Sequence, residues 1–317
     1  MAAGQAAGGA IVVQPRRGTR SVSAGALRLQ IGARTIASIP RRLRRIGLSL
    51  DEALAGSAPA LPPLASGEDG YLVTSLPEAA GVDWRGVRFE RQRYTRYYVD
   101  LEAGEAAWRA GLSGQTRSTL KRKARKLAAE SGGTLDVRRY RTPGEIGDFH
   151  PVARALAETT YQERLMGAGL PGDAGAVQRM IAQAGEDQVR AWLLYVRGEP
   201  AAYLWCGADG DTLRYDYVGH DPELAALSPG SVLMEAALGD LFADRFARFD
   251  FTEGEGQHKR GMASAGVACR DLLLLRPTLA NRAAVSLVGG FDAAMRVAKR
   301  AAAAPALQGI AKRVRRA

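Results

Sequence analysis

Apolar residues follow one another in short runs over residues 188–219, and each run ends at a turn. The runs are QVRAWLLYV, AAYLWCG and TLRYDYVG, which are rich in β-branched, aromatic and other apolar residues. Between them stand Arg197-Gly198-Glu199-Pro200 and Ala208-Asp209-Gly210-Asp211, whose Gly, Pro and Asp residues favour tight turns. Because strands joined by short turns pair antiparallel, the pattern predicts a three-stranded meander.

Helical periodicity flanks this meander on both sides. Before it, helices are predicted over Gly114–Glu130, from Thr142 to about Met166, and over Ala174–Ala184. Thr142 and Glu145 have the spacing of a capping box, and His150-Pro151 predicts a bend or restart of the second helix. After the meander come a helix over Ser231–Arg245, the strand ARFDF, a Gly-rich turn and the strand VACRDLLLLRP. This order predicts an α/β fold of the α+β kind, with a mixed, largely antiparallel sheet flanked by helices.

The helix predicted over Gly114–Glu130 has a narrow apolar face. Ser113 is suited to be its N-cap, and Gly132-Gly133 ends it. The apolar face consists of Leu120, Ala124 and Leu127, and basic residues cover the other faces: Arg117, Lys121, Arg122, Lys123, Arg125 and Lys126. Such a basic face is most often solvated. Contact with a phosphate, tRNA or a lipid headgroup is the alternative.

The first 67 residues differ in composition from the rest of the chain. They are rich in Ala, Gly, Arg and Pro, and they lead into the segment SAPALPPLASGEDG. This composition predicts a poorly packed leader and a linker near 56–69, with one strand near Ala26–Ile31 and a short helix around Ser49–Ala55. We therefore expect a basic leader and linker over 1–67, a globular domain over 68–280 and a basic helical tail over 281–317. The tail helix would have Phe291, Met295, Ala298 and Ala302 on one side and a break at Pro305.

Positive charge is concentrated at the two ends of the chain. The formal net charge is +11, and residues 1–67 and 293–317 each contribute +7, which leaves −3 for residues 68–292. Basic ends favour loose contact with anionic lipid or nucleic acid, or are merely solvated. The N-terminal sequence MAAGQAAGGAIVV does not resemble a secretory signal, and no segment reaches about 18 consecutive apolar residues. We expect a cytoplasmic protein, with peripheral contact to the inner face of a membrane as an option.

The two cysteines indicate neither a disulfide framework nor a metal site. Cys206 and Cys269 both fall in predicted strands, where a thiol usually packs as a small apolar side chain. We expect no metal.

The loop before the helix Ser231–Arg245 suits an anion. The first N–H groups of a helix lack partners within the helix, and together with the helix dipole they favour a bound negative charge. Pro229 suits the first helical position, and Gly230 lets a phosphate approach the backbone without meeting a Cβ. The cradle would comprise Ser228, Pro229, Gly230 and Ser231. An ordinary strand-to-helix connection is the alternative.

The order of these motifs resembles a known family. The meander, the Pro-Gly loop, the helix, the Asp-Phe strand and the turn ending in His258-Lys259 are similar to the GCN5-related N-acetyltransferase (GNAT) fold. They resemble most the branch associated with cellulose and exopolysaccharide biosynthesis, which is akin to FemAB-type transferases. The basic helix LSGQTRSTLKRKARKL also resembles one that precedes the transferase domain in that branch. Residues 71–110 are too short for the second copy of the fold that relatives often carry.

The resemblance implies a donor, acetyl-CoA or a longer acyl-CoA, bound along the strand that ends at Val218-Gly219. Its pyrophosphate would lie on the cradle. Tyr215 and Tyr217 lie two residues apart, so we expect them to share one face of a strand. Tyr217, nearer the end of the strand, would protonate the leaving thiolate. Simple packing of both rings on the sheet is the alternative.

The residues after the Asp-Phe strand are candidates for deprotonating the acceptor amine. The candidate bases are Asp250, Glu253 and Glu255, because partial desolvation raises the pKa of a carboxylate. His258 stands where relatives commonly have Tyr and could take the base role instead. Lys259 would hold a carboxylate or a substrate anion. An ion-paired structural Asp250 and a solvated His258 are the alternatives.

Together these features predict an acyl-CoA-dependent N-acyltransferase that acts on an amine of a sugar, lipid or cell-envelope precursor. One alternative is a FemAB-like transferase that uses aminoacyl-tRNA, which would make tRNA a partner. The other is a catalytically degenerate scaffold of a polysaccharide synthase, with its basic tail on anionic lipid.

Overall fold

The computed structural model describes residues 22–31, 34–159, 169–254 and 256–303. Their contacts divide the chain into two compact units. The larger unit contains Ser49–Gly56 and Tyr94–Cys269, and the smaller unit contains Gly18–Leu48, Ser57–Arg93 and Arg270–Ala317, each as far as its residues are described. These units interleave along the sequence and so differ from the three consecutive segments that composition predicts.

Both units combine strands and helices. The strands are β1 (Val22–Ile31), β2 (Arg34–Gly47), β3 (Gly70–Pro77), β4 (Val87–Asp100), β5 (Asp136–Tyr140), β6 (Val189–Val196), β7 (Glu199–Asp209), β8 (Thr212–His220), β9 (Arg248–Asp250) and β10 (Ala265–Leu275). The helices are α1 (Leu50–Leu54), α2 (Glu105–Gly111), α3 (Gly114–Glu130), α4 (Pro143–Thr159), α5 (Ala174–Gly185), α6 (Pro229–Leu241), α7 (Gln257–Met262) and α8 (Leu279–Ala303). A 3₁₀ turn, Pro222–Leu227, precedes α6.

The larger unit is built on a mixed sheet with strand order β4-β9-β8-β7-β6-β5. Neighbouring strands are antiparallel except for the parallel pair β8 and β9. The predicted meander is β6, β7 and β8, so the predicted fold class is confirmed.

Both faces of the meander are buried, which explains its nearly continuous apolar sequence. On one face, Trp192 and Leu194 of β6 pack with residues of α3 and α6. On the other face, Leu193 packs with Phe149 of α4 and with residues of α5. Leu193 and Leu194 are 0% exposed, and full burial of such a side chain contributes about 1.5–3 kcal/mol. Helix packing on both faces therefore fixes the meander that carries the site.

Capping residues define where the helices begin. Ser113 accepts a hydrogen bond from Thr116 N, and Asp173 accepts one from Ala176 N. Thr142 and Glu145 form the capping box that their spacing predicts, since Glu145 accepts from Thr142 N and Glu145 N donates back to Thr142 Oγ1. Because these bonds are local in sequence, capping signals locate helix starts well. Helix α4 continues through Pro151, where the sequence suggests a bend or restart.

A β-bulge changes the faces of β8. Trp205 pairs with Tyr217 and Cys206 pairs with Tyr215, so Asp216 is an extra residue on β8. Tyr215 joins the core beneath α3 and α6, whereas Tyr217 packs against the core beneath α4 and α5. The prediction that the two tyrosines share a face is therefore wrong, because the bulge reverses the alternation on which it depends.

The smaller unit corrects the prediction of a poorly packed leader. Strands β1 and β2 form an antiparallel pair, and β2 runs parallel to β3. Leu27, Leu29 and Leu43 are buried in a core with Ala284 and Val288 of α8. The sequence hides this packing because arginines flank Leu43 in β2. Arg44 forms an ion pair with Glu68 at 2.8 Å, although its sequence context suggests a solvated side chain.

Helix α8 buries apolar residues of its first half. Asn281, Ala284 and Val288 are buried, whereas the sequence predicts an apolar side further along the helix. The predicted helix break at Pro305 lies outside the described residues. Within the described chain, no helix has the length and apolar content needed to cross a bilayer.

Candidate active site

Strands β8 and β9 separate near the middle of the sheet of the larger unit. The parallel pairing joins only Thr212–Arg214 of β8 to Arg248–Asp250, and Tyr215–His220 extends past the last paired residue. The chain leaves β9 through Thr252, whose φ of +59° is unusual for a β-branched residue. Thr252 Oγ1 donates to Tyr215 O at 3.4 Å. Ligands of α/β sheets usually bind beside such carboxyl ends.

Helix α6 starts beside this end of β8 in the geometry of an anion site. Ser228, its N-cap, has left-handed backbone angles and makes no side-chain capping bond, and Pro229 occupies the first turn. Ser228, Gly230 and Ser231 are partly exposed, while Pro229 is buried. The first turn of α6 is therefore accessible to a ligand, as the predicted cradle requires.

Helix α3 adds a positive charge to this helix start. Lys123 Nζ donates to Ser231 Oγ at 3.1 Å, and Lys126 Nζ donates to Ala226 O at 3.4 Å. The pKa of Lys123 is lowered by partial burial and by the neighbouring charge of Arg122. Lys123 was not singled out by the sequence, because a helix with basic residues on most of its surface does not reveal which one meets another element. Ser231 N donates to Ser228 O at 3.0 Å, so an anion that bound here would contact the ammonium group of Lys123 and the N–H group of Gly230.

The two glycines of the predicted donor site have different surroundings. A Cβ added to Gly230 would approach His220 Nδ1 at 3.8 Å, which is ordinary contact, so there is space over the helix start. A Cβ added to Gly219 would lie 2.4 Å from Tyr203 Cε1, so the packing of Tyr203 requires glycine there. Val218 is half-buried and packs with the core beneath α3 and α6.

Asp250 lies below this opening and is fully buried. Arg96 of β4 binds both of its carboxylate oxygens, through Nε at 3.1 Å and Nη2 at 2.5 Å. Thr252 N donates to Asp250 Oδ1 at 2.8 Å, which holds the turn after β9. Burial alone would lower the pKa of Arg96, but the charge and hydrogen bonds of Asp250 raise it above its usual range.

Arg96 is a buried partner that sequence reasoning missed. It lies in the strand VRFERQRYTRYYVD, where four arginines suggest a solvated strand. Arg96 is nevertheless only 2% exposed, and its partner lies 154 residues away along the chain. No local pattern links the two residues.

Lys259 holds the same turn from the other side. It is 4% exposed, and its Nζ donates to Glu253 O at 2.8 Å. The Nζ also lies 5.7 Å from the centre of the Tyr215 ring. Burial lowers the pKa of Lys259 to about 8, against the opposing charges of Asp250 and Glu253. Glu253 is half-buried, and Glu255, the third candidate carboxylate, lies outside the described residues.

His258 follows this turn and lies close enough to Lys123 of α3 for the lysine charge to affect its pKa. It lies on α7, a short helix that the Gly-rich sequence does not predict. Although part of the imidazole reaches solvent, surrounding protein atoms and the charges of Lys259 and Lys123 lower its pKa. The imidazole therefore favours its neutral form, which can accept a proton.

The two tyrosines of β8 have different environments. Tyr215 is 4% exposed, and burial raises its pKa well above the usual range. Tyr217 is half-buried on the opposite face of the sheet and lies nearer the end of β8. The site thus has an accessible rim at the start of α6 and a buried cluster around Asp250.

Within the described chain, no group of three or more His, Cys, Asp or Glu side chains is arranged to hold a metal ion.

Comparison with known proteins agrees with this geometry. Residues 114–260 match the family model described as the acetyltransferase (GNAT) domain, which spans α3 to α7. No curated protein matches the chain.

Several solved structures are remotely similar. A domain (DUF2156) from Agrobacterium fabrum, assigned to the C-terminus of a lysylphosphatidylglycerol synthetase, is 12% identical, with 70% of this chain and 71% of that chain covered and a TM-score of 0.48. A GCN5-related N-acetyltransferase from Kribbella flavida is 14% identical, with coverage of 67% and 71% and a TM-score of 0.36. FemX is 9% identical, with coverage of 83% and 87% and a TM-score of 0.44.

The accessible helix start, the separating strands and the family match fall in the same part of the chain. Residues 114–260 are therefore similar to a GNAT acetyltransferase domain, and this similarity supports an N-acyltransferase.

Proposed function

We propose that the protein transfers an acyl group from an acyl-CoA thioester, acetyl-CoA or a longer homologue, to the amine of a sugar, lipid or cell-envelope precursor. The proposal of this donor depends on the accessible first turn of α6, where Lys123 contacts Ser231 near the carboxyl end of β8. A pyrophosphate there would gain the N–H group of Gly230, the positive end of the helix dipole and the ammonium group of Lys123. The acceptor class follows from the resemblance of the motif order to the exopolysaccharide-associated branch.

The residues of the site supply the two proton transfers that the reaction needs. The amine nitrogen attacks the thioester carbon, the C–S bond breaks, the amine loses a proton and the thiolate gains one. His258 is our proposed base, because desolvation and the neighbouring cations lower the pKa of its imidazole and so favour the neutral form. Tyr217 is the proposed acid, since it is partly exposed and lies three residues before the end of β8.

The buried residues have a positioning role in this proposal. Asp250 accepts hydrogen bonds from Arg96 and from the N–H group of Thr252, and Lys259 donates a hydrogen bond to the carbonyl group of Glu253. These bonds set the course of the chain from β9 to His258. For Glu253 and Glu255 a role as base stays a prediction from the sequence.

Calorimetry with acetyl-CoA tests the donor. We expect saturable binding that weakens about 10-fold in Lys123→Ala, which corresponds to ~1.4 kcal/mol for one charge-assisted contact. The matched control is Lys121→Ala, an exposed lysine of the same helix, which should bind like the wild type. Absence of binding at millimolar acetyl-CoA would remove the donor from the proposal.

The proposed base has a separate test. His258→Gln should keep its affinity for acetyl-CoA and lose transfer to a panel of amino sugars and aminolipids. Equal transfer by the variant and the wild type would assign the base role to another residue.

A FemAB-like use of aminoacyl-tRNA is the second candidate, and the exposed basic residues of α3 favour it. It predicts tRNA binding with a steep dependence on salt. A degenerate scaffold, the remaining alternative, predicts neither thioester transfer nor hydrolysis.

A further inference from the structure

The exposed side of α3 forms a second positively charged surface beyond the start of α6. An open groove of about 580 Å³ lies along this side, lined by Arg122, Arg125, Lys126, Ala128, Ala129 and Gly133. Three of these six residues are cationic and none is acidic. We call this surface the α3 groove.

The cations of the α3 groove lack carboxylate neighbours. Within the part of the chain that the structure describes, no Asp or Glu oxygen lies within 4.0 Å of the charged nitrogens of Arg122, Arg125 or Lys126. Arg122 also lowers the pKa of Lys123 through charge repulsion. A bound anion would relieve this repulsion, and two guanidinium groups suit the oxygens of a phosphate.

The α3 groove continues from the site at α6. Lys123 and Lys126 are three residues apart and so lie on adjacent parts of the helix surface, about 4.5 Å apart along its axis. Lys123 contacts Ser231 at the start of α6, and Lys126 contacts the carbonyl of Ala226 just before it. Arg122 and Arg125 extend the positive charge away from this point, and Ala128, Ala129 and Gly133 leave room above the helix surface.

We propose that the α3 groove binds the phosphorylated nucleotide end of the donor, with Arg122 and Arg125 on its 3′-phosphate. This inference rests on the proposed function, because it takes the pyrophosphate of the donor to lie at the start of α6. The adenosine 3′-phosphate would then extend from that point along α3, whose Lys123 contacts Ser231 at the start of α6. The groove would make the enzyme select CoA thioesters over donors that lack this phosphate.

Calorimetry with two ligands tests the inference. Wild-type protein is titrated with CoA and with 3′-dephospho-CoA, and the titrations are repeated with Arg122→Ala/Arg125→Ala. We expect the wild type to bind CoA at least about 10-fold more tightly than 3′-dephospho-CoA. The double variant should bind CoA as weakly as the wild type binds 3′-dephospho-CoA and should leave the affinity for 3′-dephospho-CoA unchanged.

The control is Lys121→Ala/Arg179→Ala, which removes the same charge from exposed positions on α3 and α5 outside the groove. This control should bind both ligands like the wild type. If it lost as much CoA affinity as the groove variant, the loss would reflect net charge and not the α3 groove. Equal affinity of the wild type for CoA and 3′-dephospho-CoA would overturn the inference and leave the proposed function intact. Binding of neither ligand would overturn both. Loss of tRNA binding without loss of CoA binding in the groove variant would assign the groove to nucleic acid.

Discussion

Two regions of the transferase domain use positive charge in opposite ways. At the rim, Lys123 lies partly exposed against the first turn of α6, where its ammonium meets a hydroxyl group. Below it, Arg96 is buried and both oxygens of Asp250 are bound to it. The charge of Lys123 at the rim is therefore available to a ligand. The charge of Arg96 is already paired with Asp250, and this pair stabilises the turn after β9. Substitutions should therefore separate binding from stability.

The buried pair should give the largest effect. Arg96→Met leaves Asp250 buried without its partner, and breaking such a pair costs about 3–5 kcal/mol of unfolding free energy. Urea unfolding measures the loss. Arg96→Met/Asp250→Leu should recover part of it, because no uncompensated charge remains. A loss below about 1 kcal/mol in Arg96→Met would show that the pair does not hold the turn.

Lys259 makes the stability of the same region depend on pH. Its folded pKa of about 8 lies below the ordinary value of about 10.4 in the unfolded chain. Between these values the unfolded state binds more protons, so stability rises with pH there, by at most about 3 kcal/mol. Below pH 8 the full cost of charging the buried amine is present. Lys259→Met should unfold with a flatter dependence between pH 8 and 10.4, and an unchanged slope would contradict the burial of the amine.

A pair of glycines extends the comparison to the backbone. Gly219→Ala should lose about 1–3 kcal/mol, because its Cβ would lie 2.4 Å from Tyr203. Gly230→Ala should unfold nearly like the wild type, because only His220 lies within 4 Å of the new Cβ. Its affinity for acetyl-CoA should nevertheless fall, since the Cβ occupies space over the helix start. Equal affinity of Gly230→Ala and the wild type would place the phosphates elsewhere.

His220 should give the smallest effect. Desolvation lowers its pKa below 6.5, despite the opposing charge of Asp221. A phosphate beside Gly230 would favour the imidazolium form, so donor affinity should rise a few-fold as the pH falls from about 7 to about 5.5. Calorimetry in buffers of different ionisation enthalpy measures the proton uptake. His220→Asn should abolish it, and uptake that persists in this variant would come from another group.

Local features of the sequence predicted much of the fold. The caps at Ser113 and Thr142 and the turns of the meander depend on neighbouring residues, and the structure confirms them. The burial of Arg96 depends on Asp250, 154 residues away along the chain, so no window of sequence contains its cause. The bulge at Asp216 lies within one hairpin, but the apolar pattern of the two strands does not reveal the extra residue. The candidate site divides in the same way. The Pro-Gly loop is visible in the sequence, whereas its contact with Lys123 needs the packing of α3 on α6.

The most direct test of the central claim is the amide NMR spectrum of deuterated protein titrated with CoA. The account predicts that the resonances of Gly230 and Ser231 shift with saturation, and that Lys123→Ala moves the midpoint of this shift to higher CoA concentration. Saturation of CoA binding with these two amides unchanged would contradict the account, because the diphosphate would then lie away from the start of α6.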